Sequence, residues 1–273
     1  MHAGGWHDGY TNAALRMAEQ LPNCRALVGP WSHNWPDTVT PGPNIAFMDE
    51  CRHFWDQHLR GAAGEGAEQW AETPRVRWYQ CRGELPPGPR VLRWPGSWQC
   101  GAAARGDTSA TFTLGSGGSL DTGAGTEQPR LSPPVTVDFS GTGDLVLPSK
   151  LRCTAAAGTA GLFCGEWLSF GAPDLAADQR SAAPHHACWR SAPLPRPLQV
   201  FGRPEVALSC SADTETAHVY VALCHVMSGA GGGYRLVTWG VANMNGEQQQ
   251  QYHYWSCQCN WDFTTFHSTW RGP

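Results

Sequence analysis

The chain has 273 residues, among them 32 glycines and 21 prolines, with 15% charged residues and a formal net charge of −4, which is room for one large or two ordinary domains. Its charged share lies below the usual value of about 25%, so Gly, Pro, Ser, Thr and Gln fill the surface, as suits turns and strands. No basic cluster occurs, and without the Lys/Arg stripe that phosphate binding requires, nucleic acid is not an expected partner. Lys150 is the only lysine and Ile45 the only isoleucine, a bias of GC-rich coding sequence that makes most arginines a codon choice. The first residues hold no basic region followed by an apolar stretch, and the longest apolar runs are strand-sized. Neither a signal peptide nor a membrane span is expected, and the expected compartment is the cytoplasm. Eleven irregularly spaced cysteines without a Cys-x-x-Cys pair fit buried free thiols better than a disulfide framework or a zinc module.

Along the chain, Ala14, Ala18 and Leu21 recur at helical spacing and predict a helix over 10–21. The apolar run 25–29 predicts a buried strand, and Phe47, Cys51, Phe54 and His58, joined by Met48, Trp55 and Leu59, predict a second helix over 46–60 that stops at Gly61. Helix, strand, loop, helix is a slice of an α/β sheet. A linker over 62–74 follows, after which helical periodicity ends. Strands are predicted over 76–81, 111–114, 135–139, 162–170, 198–201, 206–211, 218–226 and 234–241, separated by glycine-rich turns. Many short strands without helices between them point to an antiparallel sandwich or jelly roll. Residues 244–273 crowd Trp255, Trp261, Trp270, Cys257 and Cys259 without a clear period and are expected to form an irregular tail. His253, Cys257, Cys259 and His267 match no standard zinc spacing, so no metal is expected.

Two loops carry the candidate chemistry. Asp8 precedes the first predicted helix, and His33 follows the predicted strand in Gly29-Pro30-Trp31-Ser32-His33. An acid and then a base on successive sheet-edge loops have the order and placement of the last two members of an α/β-hydrolase triad. An Asp before a helix is more often an N-cap, and a single His beside two tryptophans is more often a packed ring. Spacing alone leaves both readings open.

The wording around the pair is more specific. Gly4-Gly5-Trp6-His7-Asp8-Gly9, Gly29-Pro30-Trp31-Ser32-His33 and Trp55-Asp56-Gln57-His58-Leu59-Arg60-Gly61 closely resemble the X-Pro dipeptidyl-peptidase and cocaine-esterase (CocE/NonD) serine hydrolase family. The resemblance continues through Arg75-Val76-Arg77-Trp78-Tyr79, Gly165-Glu166-Trp167, Asp178-Gln179-Arg180 and Gly202-Arg203-Pro204, and fades after about Asn243. It implies a mainly β chain: a truncated α/β-hydrolase segment over 1–61, the linker, then a C-terminal jelly-roll β-sandwich over 75–243. It further implies that Asp8 and His33 are the catalytic acid and base of a dipeptidyl-peptidase or esterase acting on an X-Pro peptide or small ester without a cofactor.

Trp31 and Trp35, which flank His33, are the candidates for an apolar wall of the substrate pocket. The family's Gly-x-Ser-x-Gly nucleophile elbow has no counterpart; Ser32, Ser97, Ser116 and Ser119 all stand outside that frame. The chain alone is therefore expected to be inactive, a fragment of a larger enzyme or an incomplete gene model. With so little of its sheet, the segment 1–61 is expected to leave Leu27, Phe47, Phe54 and Trp55 without a packing layer, exposing a face for a partner polypeptide. The competing expectation is a non-catalytic β-sandwich binding module. Asp178-Gln179-Arg180 is expected to be a hydrogen-bonded loop anchor.

Overall fold

The computed structural model describes residues 1–60, 72–83, 91–101, 112–114, 119–122, 144–146, 152–154, 161–166, 168–171, 175–183, 186–194, 198–202, 206, 208–210, 216–227, 232–245, 250–252 and 259–263. Its elements begin β1 (His2–Gly5), α1 (Thr11–Gln20), β2 (Ala26–Gly29), α2 (Phe47–Arg60) and β3 (Val76–Arg82). The three strands lie side by side and parallel, His2 opposite Ala26 and Ala26 opposite Val76.

Side chains of a strand alternate between faces, and this alternation assigns the layers. Ala26, Val28, Val76 and Trp78 pack with Ala14, Leu15 and Ala18 of α1. From the opposite face Leu27 packs with Trp31 and Val39, against partly buried Ile45 and Phe47. On that face, too, Arg77 forms a two-pronged ion pair with Glu50 of α2, at 3.0 and 2.5 Å. A helix thus covers each face of the sheet, which is why β2 reads as an unbroken apolar run. The expected loss of a packing layer does not occur for Leu27 or Phe54, which are buried; Trp55, by contrast, is 54% exposed.

Strands dominate the rest: β4 (Gly96–Gly101), β5 (Phe112–Leu114), β6 (Leu120–Thr122), β7 (Asp144–Val146), β8 (Arg152–Thr154), β9 (Leu198–Gly202), β10 (Leu208–Cys210), β11 (Thr216–Val226), β12 (Tyr234–Asn245), β13 (Gln250–Tyr252) and β14 (Cys259–Phe263). The fold is mainly β. The first sheet continues without a break into this part. On one edge β3 pairs antiparallel with β4, and on the other it pairs parallel with β2 and then with β14, which pairs antiparallel with β9. β11 and β12 form a long hairpin, in register from Thr216–Asn245 to Val226–Tyr234 with a bulge at Leu223/Cys224.

Two arginines stitch the junction. The Arg75 guanidinium donates to the carbonyls of Ala18, Leu21 and Cys24 at the end of α1, at 2.8 to 3.3 Å, where a helix has unsatisfied acceptors and attracts cations. Arg25 donates to the Thr73 carbonyl at 2.5 Å. A second core of Tyr79, Cys81, Val91, Trp94 and Leu175, with Trp6, Val200 and Val237 packed against it, joins residues from both parts of the chain.

Three departures from the sequence reading have physical causes. The predicted strand 162–170 is a turn over Gly161–Cys164 followed by one isolated bridge at Leu168; Gly161 and Gly165 have φ of +77° and +81°, a conformation that ends a strand. The tail expected to be irregular supplies β13 and β14. Cys259-Asn260-Trp261-Asp262-Phe263 alternates apolar and polar with period two, a strand signal hidden by the tryptophans and cysteines around it. β1 and β4 carry too much glycine for a sequence signal. The predicted strand 135–139 and most of the predicted linker lie outside the described residues. Among the described residues no helix is long and apolar enough to cross a membrane.

Candidate functional site

β1 and β2 end in register at Gly5 and Gly29, so the loops that follow them leave the same carboxyl edge of the sheet, where α/β folds place their sites. Pairing continues past the strand ends: the Trp6 N–H donates to the Gly29 carbonyl at 2.9 Å and the His7 N–H to the Trp31 carbonyl at 3.0 Å. Trp31 lies against both glycines. A Cβ on Gly5 would meet the Trp31 carbonyl oxygen at 2.1 Å, and one on Gly29 would meet the Trp31 ring at 2.2 Å. The glycines of the two motifs are therefore required by close approach. The motif tryptophans anchor to backbone: Trp6 Nε1 donates to the Tyr79 carbonyl and Trp31 Nε1 to the Pro43 carbonyl, each at 2.8 Å.

The braced loops bring Asp8 and His33 together, with Asp8 Oδ2 3.1 Å from His33 Nδ1 and side-chain exposures of 13% and 37%. The other carboxylate oxygen, Oδ1, accepts the Tyr10 N–H at 2.9 Å. Asp8 is not the N-cap of α1, a position held by Tyr10; one oxygen fixes the loop and the other holds the imidazole. Such a contact sets the ring's tautomer and leaves Nε2 for proton transfer. Two rings approach His33, Tyr10 at 5.6 Å and Phe170 at 5.8 Å.

The two candidate wall residues separate. Trp31 is 1% exposed and belongs to the core beneath the His33 loop, whereas Trp35 is 62% exposed with its ring 6.3 Å from Phe47. Ser32 is buried and donates to the Thr40 carbonyl at 2.9 Å, and Ser97 accepts from Gln99 Nε2 at 2.9 Å. Ser119 sits in a bridge to Arg190, and Ser116 lies outside the described residues. So do His253, Cys257 and His267 of the tail.

Sequence reasoning missed the segment that covers the pair. Leu168 forms an antiparallel bridge with Asp8, the Ser169 carbonyl accepts the His33 N–H at 2.6 Å, and Ser169 Oγ donates to the His7 carbonyl at 3.1 Å. No local signal marks contacts across more than 130 residues of chain. Also missed was a stack behind the acid loop, where the His7 ring lies 5.5 Å from Trp94 at 18° and the Arg235 guanidinium lies 4.8 Å from the Trp94 ring centre. Burial and then the Arg235 charge push the His7 pKa down to about 4, and the same causes put His225 at about 4. Burial brings Arg235 itself down to about 10.

Asp178 is an anchor, as its motif predicts. Its carboxylate accepts from Arg180 N, Nε and Nη2 and from Tyr234 N, at 2.5 to 3.0 Å. Burial opposes its charge, but the hydrogen bonds from Arg180 and Tyr234 outweigh that and hold its pKa below the usual carboxylate value. Gln179 beside it is buried and donates to the Phe163 and Ala177 carbonyls.

No curated protein matches the chain. Residues 68–253, more than half of its length, match the family model described as the X-Pro dipeptidyl-peptidase C-terminal non-catalytic domain. That match contains β3, β4, the Leu168–Phe170 segment, the Asp178 anchor and the β11–β12 hairpin, and the chain belongs to this family of X-Pro dipeptidyl-peptidase C-terminal domains.

Proposed function

We propose that the chain is the C-terminal part of a serine hydrolase of the X-Pro dipeptidyl-peptidase and CocE/NonD type. Residues 1–61 are the end of its α/β-hydrolase domain and supply two members of its triad, and 75–243 form its jelly roll. The observation that carries the reading is the 3.1 Å contact between Asp8 Oδ2 and His33 Nδ1 at the carboxyl edge of a parallel sheet. Asp8 accepts a hydrogen bond from Nδ1–H and holds the ring, so that Nε2 takes the proton of an attacking serine and later returns it to the leaving group. The substrate is an X-Pro peptide or an ester, hydrolysed through an acyl-enzyme, and neither metal nor organic cofactor is called for. Trp35 is the tryptophan exposed enough to form an apolar wall beside His33, while Trp31 holds the loop from below.

No Gly-x-Ser-x-Gly elbow occurs among the 273 residues, so the nucleophile belongs to other polypeptide. Among the described residues β1 pairs only with β2, and the free edge of β1 is where that polypeptide adds its strands. The rival reading, a non-catalytic binding module, is favoured by the description of the matched family. One experiment separates the two. The chain alone should neither hydrolyse a p-nitrophenyl ester or an X-Pro arylamide nor be labelled by a fluorophosphonate. Joined to the elbow-bearing polypeptide it should do both, and His33→Ala should abolish turnover. A joined protein that stays inert supports the module.

A further inference from the structure

We infer that Ser169, a residue of the C-terminal domain, is a positioning residue for the Asp8–His33 pair. This rests on the reading of that pair as catalytic and deepens it, because it gives a domain described as non-catalytic a part in the site. The geometry is a clamp on two loops at once. Through its carbonyl Ser169 holds the His33 N–H at 2.6 Å, and through its hydroxyl it holds the His7 carbonyl at 3.1 Å, one residue before Asp8. Leu168 bridges to Asp8 itself, and the Phe170 ring stands edge-on to the imidazole at 5.8 Å. Ser169 is 1% exposed, so water does not substitute easily for either bond.

The sheet does not make this clamp redundant. β1 and β2 fix Gly5 and Gly29 in register, but Asp8 and His33 lie three and four residues beyond those ends. Backbone pairing across the loops reaches only to the His7 N–H and the Trp31 carbonyl, and beyond it small changes in either loop would open the 3.1 Å contact. One buried residue that grips both loops, one through its backbone carbonyl and the other through its hydroxyl, sets their separation. This grip comes from distant chain, since Ser169 lies 162 residues from His7 in sequence.

The test is proton NMR of the full 273-residue chain with ¹⁵N-labelled histidine. In the unaltered chain the His33 Nδ1 proton should be observable and should vanish in Asp8→Asn, and the His33 backbone amide should exchange at least tenfold more slowly than an unstructured amide. In Ser169→Ala the Nδ1 proton should exchange at least tenfold faster while the Thr216–Asn245 end of the β11–β12 hairpin keeps its protection, and Ser169→Thr should restore it. If Ser169→Ala leaves the Nδ1 proton unchanged, or the His33 amide of the unaltered chain exchanges at the unstructured rate, Ser169 does not position the pair. If the unaltered chain shows no Asp8-dependent Nδ1 proton, the pair itself fails, and the inference falls with it.

Discussion

Gly29 shows how a motif residue is fixed by a neighbour. Its missing Cβ leaves the space in which the Trp31 ring sits, so Gly29→Ala should force the ring out of a closed core and cost roughly 1 to 3 kcal/mol, read as a lower urea midpoint. Asp178 allows a similar argument from hydrogen bonds. Replacing it by alanine strands the Tyr234 N–H, which it accepts at 2.9 Å, and should cost about 1 to 3 kcal/mol, whereas an exposed acid such as Asp49 should be nearly neutral. At this scale the sequence was informative where a motif names its own partners. The Gly-Gly-Trp-x-Asp and Gly-Pro-Trp-x-His strings contain Trp31, the glycines it needs and both members of the pair. It was uninformative for Ser169, Trp94 and Arg235, whose roles depend on which distant segments the fold brings to the loops.

At the scale of elements, α1 and α2 were legible because each keeps the helical period, and β2 because it is an unbroken apolar run. β11 and β12 were legible from long alternating or apolar runs, although their pairing extends beyond the predicted ends to Thr216 and Asn245. The 162–170 segment misled because its apolar residues mask Gly165, which has a positive φ, as does Gly161 just before it. β14 was hidden inside a tail whose composition overrode its alternation. The continuity of the sheet across β2 and β3 could not be foreseen, since parallel pairing over a linker leaves no mark in either strand. It makes a prediction about protection. Amides of Leu27 and Val28 in β2 should exchange as slowly as those of β3, the opposite of what an unsupported fragment would show. Arg75 is the staple of that arrangement. Arg75→Ala should remove the donor shared by the Ala18, Leu21 and Cys24 carbonyls, of which Leu21 keeps the Cys24 N–H, and speed exchange in the last turn of α1 before it affects β2.

For the whole molecule, the buried stack of His7, Trp94 and Arg235 ties the acid loop to β12, and it makes stability depend on pH. The folded pKa values of His7 and His225 lie near 4, below the ordinary value of 6.5, so between those limits the unfolded chain binds more protons than the folded one. Stability is then full above about pH 6.5 and is lost as pH falls toward 4, each histidine adding a slope of up to about 1.4 kcal/mol per pH unit. Urea unfolding at pH 7, 5.5 and 4.5 should show this loss, and His7→Phe, which keeps an aromatic ring on Trp94, should reduce the slope by about half.

The central claim is that Asp8 and His33 work as one unit with a serine carried outside these 273 residues, and the most direct measurement is a double-mutant comparison in the protein joined to its elbow-bearing polypeptide. Asp8→Asn, His33→Ala and the double variant are compared by kcat/KM on an X-Pro arylamide and a p-nitrophenyl ester. Residues that act together lose their contribution once, so the double variant should be no slower than His33→Ala alone, with a loss on the order of 10³-fold or more. Losses that multiply, or full turnover without His33, would contradict the account.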